Sequence, residues 1–125
     1  MKSKFWIVDM PKYSIMIFCI LNTAAMLLYP GGSIHNKEQI GYVFSNNFFS
    51  DLGTLVTYSG LDNLTSAILF NFSLCVCGLT FIMLFLKVRN LFEMQILSSI
   101  ATLFGILGGF SFIGVAFTPA NIYGD

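Results

Sequence analysis

Residues 64–86 read LTSAILFNFSLCVCGLTFIMLFL and contain no charged side chain. A helix needs about 20 apolar residues to cross a hydrocarbon core about 30 Å thick, so this stretch alone is long enough to span a membrane. Helix is the expected conformation, because a helix pairs its own backbone N–H and C=O groups where no water is available. Barrel strands alternate apolar and polar residues over about ten positions, which this stretch does not do. The stretch predicts a transmembrane helix over about residues 63–87.

Two further apolar stretches flank this one. Residues 94–118 (MQILSSIATLFGILGGFSFIGVAFT) follow it, and residues 13–30 (YSIMIFCILNTAAMLLYP) precede it. Each is predicted to form a helix that crosses the membrane, and a proline ends the first while Pro119 follows the third. We therefore expect an all-α transmembrane helix bundle with three membrane-spanning helices, in a single domain of residues 1–125.

The composition agrees with a membrane protein and excludes several other classes. The chain is 56% hydrophobic and only 10% charged, whereas soluble domains carry about 25% charged residues. Its net charge of zero predicts no nucleic-acid partner. The three cysteines, Cys19, Cys75 and Cys77, all lie in apolar stretches, so we interpret them as packing residues and not as a disulfide or metal pair. No cofactor motif is present in the sequence, and no cofactor is predicted.

The basic residues predict the orientation in the membrane. Those that precede the first stretch or separate the second from the third are Lys2, Lys4, Lys12, Lys87 and Arg89. Only Lys37 lies in the long loop of residues 31–62. Because cytoplasmic segments carry the excess of Lys and Arg, we expect a multi-pass protein of the cell membrane with a cytoplasmic N-terminus. The long loop and the C-terminus of this chain are then outside. A cleaved secretory signal is the alternative for the first stretch, but Asp9 interrupts its basic start and no small-residue cleavage site follows.

The long outer loop is apolar in its second half. Phe48, Leu52, Leu55 and Val56 recur at the spacing of one helix face. This spacing predicts a short interfacial helix, capped by Ser50 or Asn47, that lies over the outer ends of the bundle. A re-entrant segment is the alternative.

Asp51 is the charge of greatest interest, because apolar residues frame it close to membrane depth. Acids in that position are costly to bury and often functional; the alternative is an acid that stabilises the first turn of a helix. His35, Asp51 and Asp125 all fall on the predicted outer face. They are the candidate catalytic residues and the candidate ligands of a metal ion, although their spacing matches no metal signature.

The third apolar stretch has a rhythm of small residues, with Ala101, Gly105 and Gly109 four positions apart. Small residues let helix backbones approach closely in a membrane. We expect them to pack the third helix inside its own bundle; self-association through this helix is the alternative.

Two segments resemble a known family. Residues 45–53 (SNNFFSDLG) look like the N-F-[IL]-S-D-L-G segment of the multi-pass membrane family called domain of unknown function 998, which is distantly similar to DRAM and Frag-type membrane proteins. The motif residues are Ser50, Asp51, Leu52 and Gly53. Residues 118–125 (TPANIYGD), which include Pro119, resemble the family's T-P-x-D-x-Y-x-D-x-H, with Asn121 in place of the first Asp.

The resemblance implies an architecture and not a reaction. Members of that family usually have about six helices, and this sequence ends at Asp125, just before the expected His. The chain would then be the N-terminal half of a larger bundle, and a missing C-terminal half would be a partner. The family has no settled activity.

The leading hypothesis is a multi-pass membrane protein, non-enzymatic or of uncharacterised activity, whose outer loop and helix ends form a surface that faces lipid or a partner. The first alternative is a membrane-embedded lipid hydrolase with an outer-face metal site. The second is half of a small transporter, which needs polar residues that face one cavity; the helices offer Asn22, Asn71 and Thr102.

Overall fold

The computed structural model describes residues 4–118. Three long helices dominate it: α1, α2 and α3, which comprise Met10–Leu28, Leu64–Val88 and Gln95–Ala116. Shorter helical turns occupy Phe5–Asp9, Phe49–Gly53 and Arg89–Leu91.

Each long helix, taken with the turn that continues it, is long and apolar enough to cross a membrane. The three candidate spans of the described residues are Phe5–Leu28, Leu64–Leu91 and Gln95–Ala116. The predicted fold class is therefore confirmed, including the short helix within the loop between α1 and α2.

The first span begins earlier than the predicted residue 13. A π-helical turn over Phe5–Asp9 runs directly into α1, and the N–H of Met10 donates to the carbonyl of Phe5. Pro11 therefore lies inside a continuous helix and not in front of it. Proline has no N–H to donate, so one hydrogen bond of the helix is absent at Pro11. A π-helical turn is a common local adjustment of a helix at such a position.

The three helices form a row with α2 in the middle. α2 packs along both α1 and α3, whereas α1 and α3 have few contacts with each other. At one end of the row, the Lys87 ammonium lies over the Trp6 ring at 5.8 Å from its centroid, which joins the start of the first span to the end of α2. The loop between α1 and α2 covers the other end.

The contact between α2 and α3 depends on glycine. A Cβ at Gly78 would lie 2.5 Å from the carbonyl oxygen of Gly109, and one at Gly109 would lie 2.6 Å from that of Gly78. The ring of Phe85 fills the space where a Gly105 side chain would be. The buried face of α3 includes Thr102, while Ala101 is exposed. The prediction that Ala101 packs with the two glycines is therefore wrong. Because a helical turn has 3.6 residues, the residue that shares the buried face with them is Thr102.

The contact between α1 and α2 combines apolar packing, with Ala25 beside Phe70 and Leu74, and a buried hydrogen bond. The Asn22 side chain donates from Nδ2 to the Ser73 hydroxyl at 2.8 Å and to the Phe18 carbonyl at 2.7 Å. Ser73 donates in turn to the Phe70 carbonyl. The Oδ1 atom of Asn22 is buried and accepts no hydrogen bond within the described part of the chain.

The distribution of side chains is the reverse of that in a water-soluble protein. Within residues 4–118, seven buried residues are apolar and twelve are polar or charged, and large apolar side chains cover the outside of all three helices. Soluble proteins bury mainly large apolar residues, whereas lipid is as apolar as leucine and leaves the interior to small and polar residues. This distribution is the one that a membrane-spanning helix bundle requires.

Candidate functional site

Residues 29–63, which we call the cap, fold over the loop end of the helix row. Two isolated antiparallel bridges, Gly31 with Ile40 and Val56 with Asp62, close the cap into two compact turns. Gly32 has a φ of +88°, and a Cβ there would lie 2.6 Å from the backbone nitrogen of Ser59. Only glycine fits this position, where the two turns touch.

Asn47 joins the first turn of the cap to the segment that carries Asp51. Its Nδ2 donates to the carbonyl of Gly32 at 2.8 Å and to Oδ2 of Asp51 at 3.1 Å. Its Oδ1 accepts from Gln39 Nε2 at 2.6 Å and from the backbone N–H of Val43 at 3.1 Å. All the hydrogen-bonding groups of this buried amide are therefore used, and they hold four separated parts of the cap together.

Asp51 is 3% exposed, and it lies in the first turn of the helix Phe49–Gly53. Its Oδ2 accepts the N–H of Phe48 at 3.0 Å as well as the amide of Asn47. The helix-capping role weighed from the sequence is therefore present in the structure. Both donors are neutral, so the hydrogen bonds that bury this carboxylate leave its charge unbalanced.

Three tyrosines are close enough to this carboxylate for its charge to act on them. Tyr29 is 3% exposed and donates from its hydroxyl to the Gly32 carbonyl at 3.1 Å, the same oxygen that Asn47 uses. Burial, followed by the nearby charge of Asp51, raises the pKa of Tyr29 to about 12. The same two causes raise the pKa values of Tyr42 and Tyr58 above the ordinary tyrosine value. The field of Asp51 thus reaches all three phenol groups.

The cap is joined to α2 through the short helix. Leu52 is fully buried in the apolar cluster at this end of the row, and its carbonyl accepts from the Ser66 hydroxyl at 3.3 Å. Asn63 donates to the carbonyls of Thr54 at 2.8 Å and Leu52 at 3.2 Å. A Cβ at Gly53 would lie 2.7 Å from the Phe70 ring. The S-D-L-G segment therefore contains the residues that connect the cap to the helices.

The outer surface of the cap carries exposed apolar side chains. Ile40, Phe44 and Phe48 are 91%, 79% and 58% exposed, and we call these three residues the apolar rim. The sequence placed Phe48 and Leu52 on one helix face, which is wrong: Leu52 is buried and Phe48 points outward. The helix is a 3-10 helix of five residues, too short for the assumed face to develop.

The other candidate site residues are separate from Asp51 or outside the described residues. His35 and Ser50 are exposed, whereas Asp51 is buried. Pro119 and Asp125 lie outside the described residues, so the predicted grouping with Asp125 stays a prediction. Within residues 4–118, no three His, Cys, Asp or Glu side chains come together as a metal ion requires.

The sequence reasoning missed the two asparagines that organise the cap. Asn47 was considered only as a helix cap, and Asn63 was not predicted to organise the loop. Both flank the S-D-L-G segment, and asparagine is the residue that most readily closes turns through its side chain. Tyr42 and Tyr58 were not predicted to lie near Asp51, because the pairing that places them there is not local.

Comparison of the chain with family models, curated proteins and solved structures finds no match. The resemblance to the family called domain of unknown function 998 stays a prediction.

Proposed function

We propose that this chain is an integral protein of the cell membrane, that its N-terminus is cytoplasmic, and that its cap lies at the outer lipid–water interface and binds lipid there. One observation carries the proposal: the cap combines an ordered polar centre with an exposed apolar rim. Ile40 and Phe44 would each expose most of their surface to water if the cap stood clear of the bilayer. An exposed apolar surface of this kind favours contact with a membrane or a partner.

The position of the rim supports lipid as the neighbour. Tyr29 follows the last residue of α1, and the cap is attached at the first turns of α2, so the cap begins where two spans end. Aromatic residues are enriched at that depth of a bilayer. The basic residues at the opposite end of the row support an outer location for the cap.

A binding role accounts for the described residues better than the two alternatives. The lipid hydrolase needs His35 beside Asp51, and the two differ in burial and share no hydrogen bond. The transporter half needs polar groups that are free to face one cavity, but the hydrogen-bond donors at two of the candidate positions are used within the row. The Nδ2 atom of Asn22 donates to Ser73, and the Thr102 hydroxyl donates to the carbonyls of Ser98 and Phe85.

Further helices are the partners that the row itself favours. α1 and α3 each pack on one side only, against α2, and their outer faces are apolar. We propose that these faces contact lipid or additional transmembrane helices, from a C-terminal continuation or from a second copy.

The position of the rim is tested with a single tryptophan in lipid vesicles. Phe44→Trp in a Trp6→Phe background places the reporter on the rim, and Lys37→Trp in the same background places it on the polar turn of the cap. Vesicles that contain brominated phosphatidylcholine quench tryptophan on contact with the acyl chains. We expect quenching and blue-shifted emission for Phe44→Trp and neither for Lys37→Trp.

Equal, weak quenching at both positions would show that the rim stands in water, and the lipid-binding proposal would be wrong. Protection of Phe44→Trp from both bromolipid and aqueous iodide would also overturn it, in favour of a protein partner or a second copy on the rim.

A further inference from the structure

We propose that the cap binds the ammonium group of a phospholipid headgroup, on an aromatic face formed by Tyr42, Phe44 and Tyr58 above the buried carboxylate of Asp51. This inference rests on the proposed lipid-binding function and adds the chemical class of the ligand. Three features of the cap support the inference: a buried carboxylate whose hydrogen-bond donors are uncharged, a set of aromatic rings, and a location at the ends of two membrane spans.

The charge of the cap favours a cation. Residues 29–63 contain one Lys and three acids, namely Lys37, Glu38, Asp51 and Asp62, so their net charge with neutral His is 1 − 3 = −2. Asp51 is the buried one, and its hydrogen bonds come from uncharged donors. A buried charge is screened by solvent much less than a surface charge, so its field extends to the aromatic side chains above it.

The aromatic side chains supply the contact surface. The Tyr42 ring lies edge-to-face against Tyr29 at 5.8 Å and against Phe44 at 6.4 Å. Tyr58 is 39% exposed and precedes Ser59, whose hydroxyl donates to the Gly31 carbonyl at 3.1 Å. This contact brings the Tyr58 segment next to Gly32, to which Tyr29 donates. Ring faces attract organic cations through their quadrupole, and quaternary ammonium groups are commonly recognised in this way. Tyr29 supports the patch from below, because it is buried and fixed by its bond to Gly32.

An organic cation suits this patch better than a metal ion does. Metal ions need several oxygen, nitrogen or sulfur ligands at about 2.0–2.6 Å, and the described residues bring no three acidic, His or Cys side chains together. Aromatic rings offer no such ligands but match the low charge density of a methylated ammonium group. The adjacent rim, with Phe44 in common, places the patch at the depth of a lipid headgroup.

The test measures the lipid preference of the full chain in vesicles. Spin-labelled phosphatidylcholine and spin-labelled phosphatidylglycerol report the fraction of each lipid held at the protein surface. For the unaltered chain we expect a preference of about fivefold or more for phosphatidylcholine, given about 0.5–1 kcal/mol for each exposed cation–π contact. Tetramethylammonium chloride is expected to abolish the preference at a concentration at which sodium chloride does not.

Matched variants separate the rings from the hydroxyls and from the fold. The double variant Tyr42→Leu/Tyr58→Leu removes both ring faces and should lose the preference. Tyr42→Phe/Tyr58→Phe keeps the rings and should retain it. Asp51→Asn keeps an oxygen for the Phe48 N–H but removes the charge, and should lower the preference. The Phe44→Trp quenching assay, run in each background, shows whether the cap keeps its place.

Each result decides the proposal. The proposal is supported if the Leu and Asn variants lose the preference for phosphatidylcholine and the Phe variant retains it, with the quenching of Phe44→Trp unchanged. No headgroup preference in the unaltered chain overturns it, and normal quenching of Phe44→Trp would leave the proposed membrane position of the cap intact. Equal competition by sodium chloride, or competition by micromolar Ca²⁺, would also overturn it, in favour of general charge effects or a metal site.

Discussion

The cap and the helix row are held together by different interactions. The cap, residues 29–63, buries a carboxylate and uses side-chain amides and the Tyr29 hydroxyl as cross-links. The contact between α2 and α3 depends on glycine, because the backbones at Gly78 and Gly109 approach too closely for either residue to carry a Cβ. One region depends on hydrogen bonds between loops, and the other on close packing of helices.

The difference follows from the solvent of each region. Lipid offers no hydrophobic force to bring helices together, so close contact of small residues has to do so. At the interface, loop backbone has to be satisfied by partners other than its own helix, and Asn47 and Asn63 supply them. Substitutions in the two regions should therefore fail in different ways.

The largest effect is expected at Gly109. Gly109→Val forces α2 and α3 apart against the Gly78 backbone, and should lower the free energy of unfolding by about 2–3 kcal/mol. A Cβ at Gly108 would meet no atom within 4 Å, so Gly108→Ala should leave stability unchanged or raise it by up to about 1 kcal/mol. Unfolding with SDS in mixed micelles, followed by the thiol reactivity of Cys75 and Cys77, measures both. Equal effects of the two variants would contradict the close-packing account of the row.

Asp51→Ala is expected to have the next largest effect. It leaves the Phe48 N–H and the Asn47 amide without their acceptor, at a cost of about 1–3 kcal/mol. Asp51→Asn retains an acceptor oxygen and should cost less. Hydrogen exchange should show faster exchange confined to the cap, with α2 and α3 unchanged. Exchange that accelerates equally in α3 would show that the two regions unfold as one unit.

An effect of about 1 kcal/mol on the free energy of unfolding is expected for Tyr29→Phe, which removes the hydroxyl that donates to Gly32.

The unaltered cap should also lose stability as the pH rises from about 10 to about 12. In that window the unfolded chain releases a proton that the folded chain, with the Tyr29 pKa at about 12, still holds, so alkaline pH favours unfolding. Tyr29→Phe should reduce this alkaline loss, and a tyrosinate titration by absorbance measures it. An unchanged alkaline loss in Tyr29→Phe would assign the effect to other groups.

The smallest effect is expected between Asn22 and Ser73. A double-mutant cycle with Asn22→Ala and Ser73→Ala should give a coupling of about 0.6 kcal/mol, the average for hydrogen bonds between membrane helices. The same SDS unfolding measurement applies. A coupling energy larger than the effect of Gly109→Val would mean that the α1–α2 contact contributes more to stability than the α2–α3 contact, contrary to this prediction.

The sequence was sufficient for the helices because their signal is local. Uninterrupted apolar stretches such as residues 64–86 have to be helical in lipid, whatever their neighbours are. The start of the first span was less predictable, since Asp9 and Pro11 argue against a helix locally, while a single π turn accommodates both.

The cap was predictable only in part. The sequence singled out Asp51, because an acid among apolar residues is conspicuous, and its place in a helical first turn is a local property. The pairings of Gly32 with Asn47 and of Asn63 with the Leu52 carbonyl join residues far apart in the chain. Such pairings depend on turn geometry and not on hydropathy, so the periodicity of Phe48 to Val56 gave a helix face that the fold does not use.

The central helix has a consequence for the choice of bilayer. The span Leu64–Leu91 has 28 residues, about 42 Å at 1.5 Å each. Its uncharged part, residues 64–86, measures about 35 Å, against a hydrocarbon core of about 30 Å. The span Gln95–Ala116, with 22 residues, measures only about 33 Å. A helix longer than the core accommodates the mismatch by tilting. A change of membrane thickness would alter the tilt of α2. Since α2 is the helix that packs against both others, the crossing angles between all three helices would change with it.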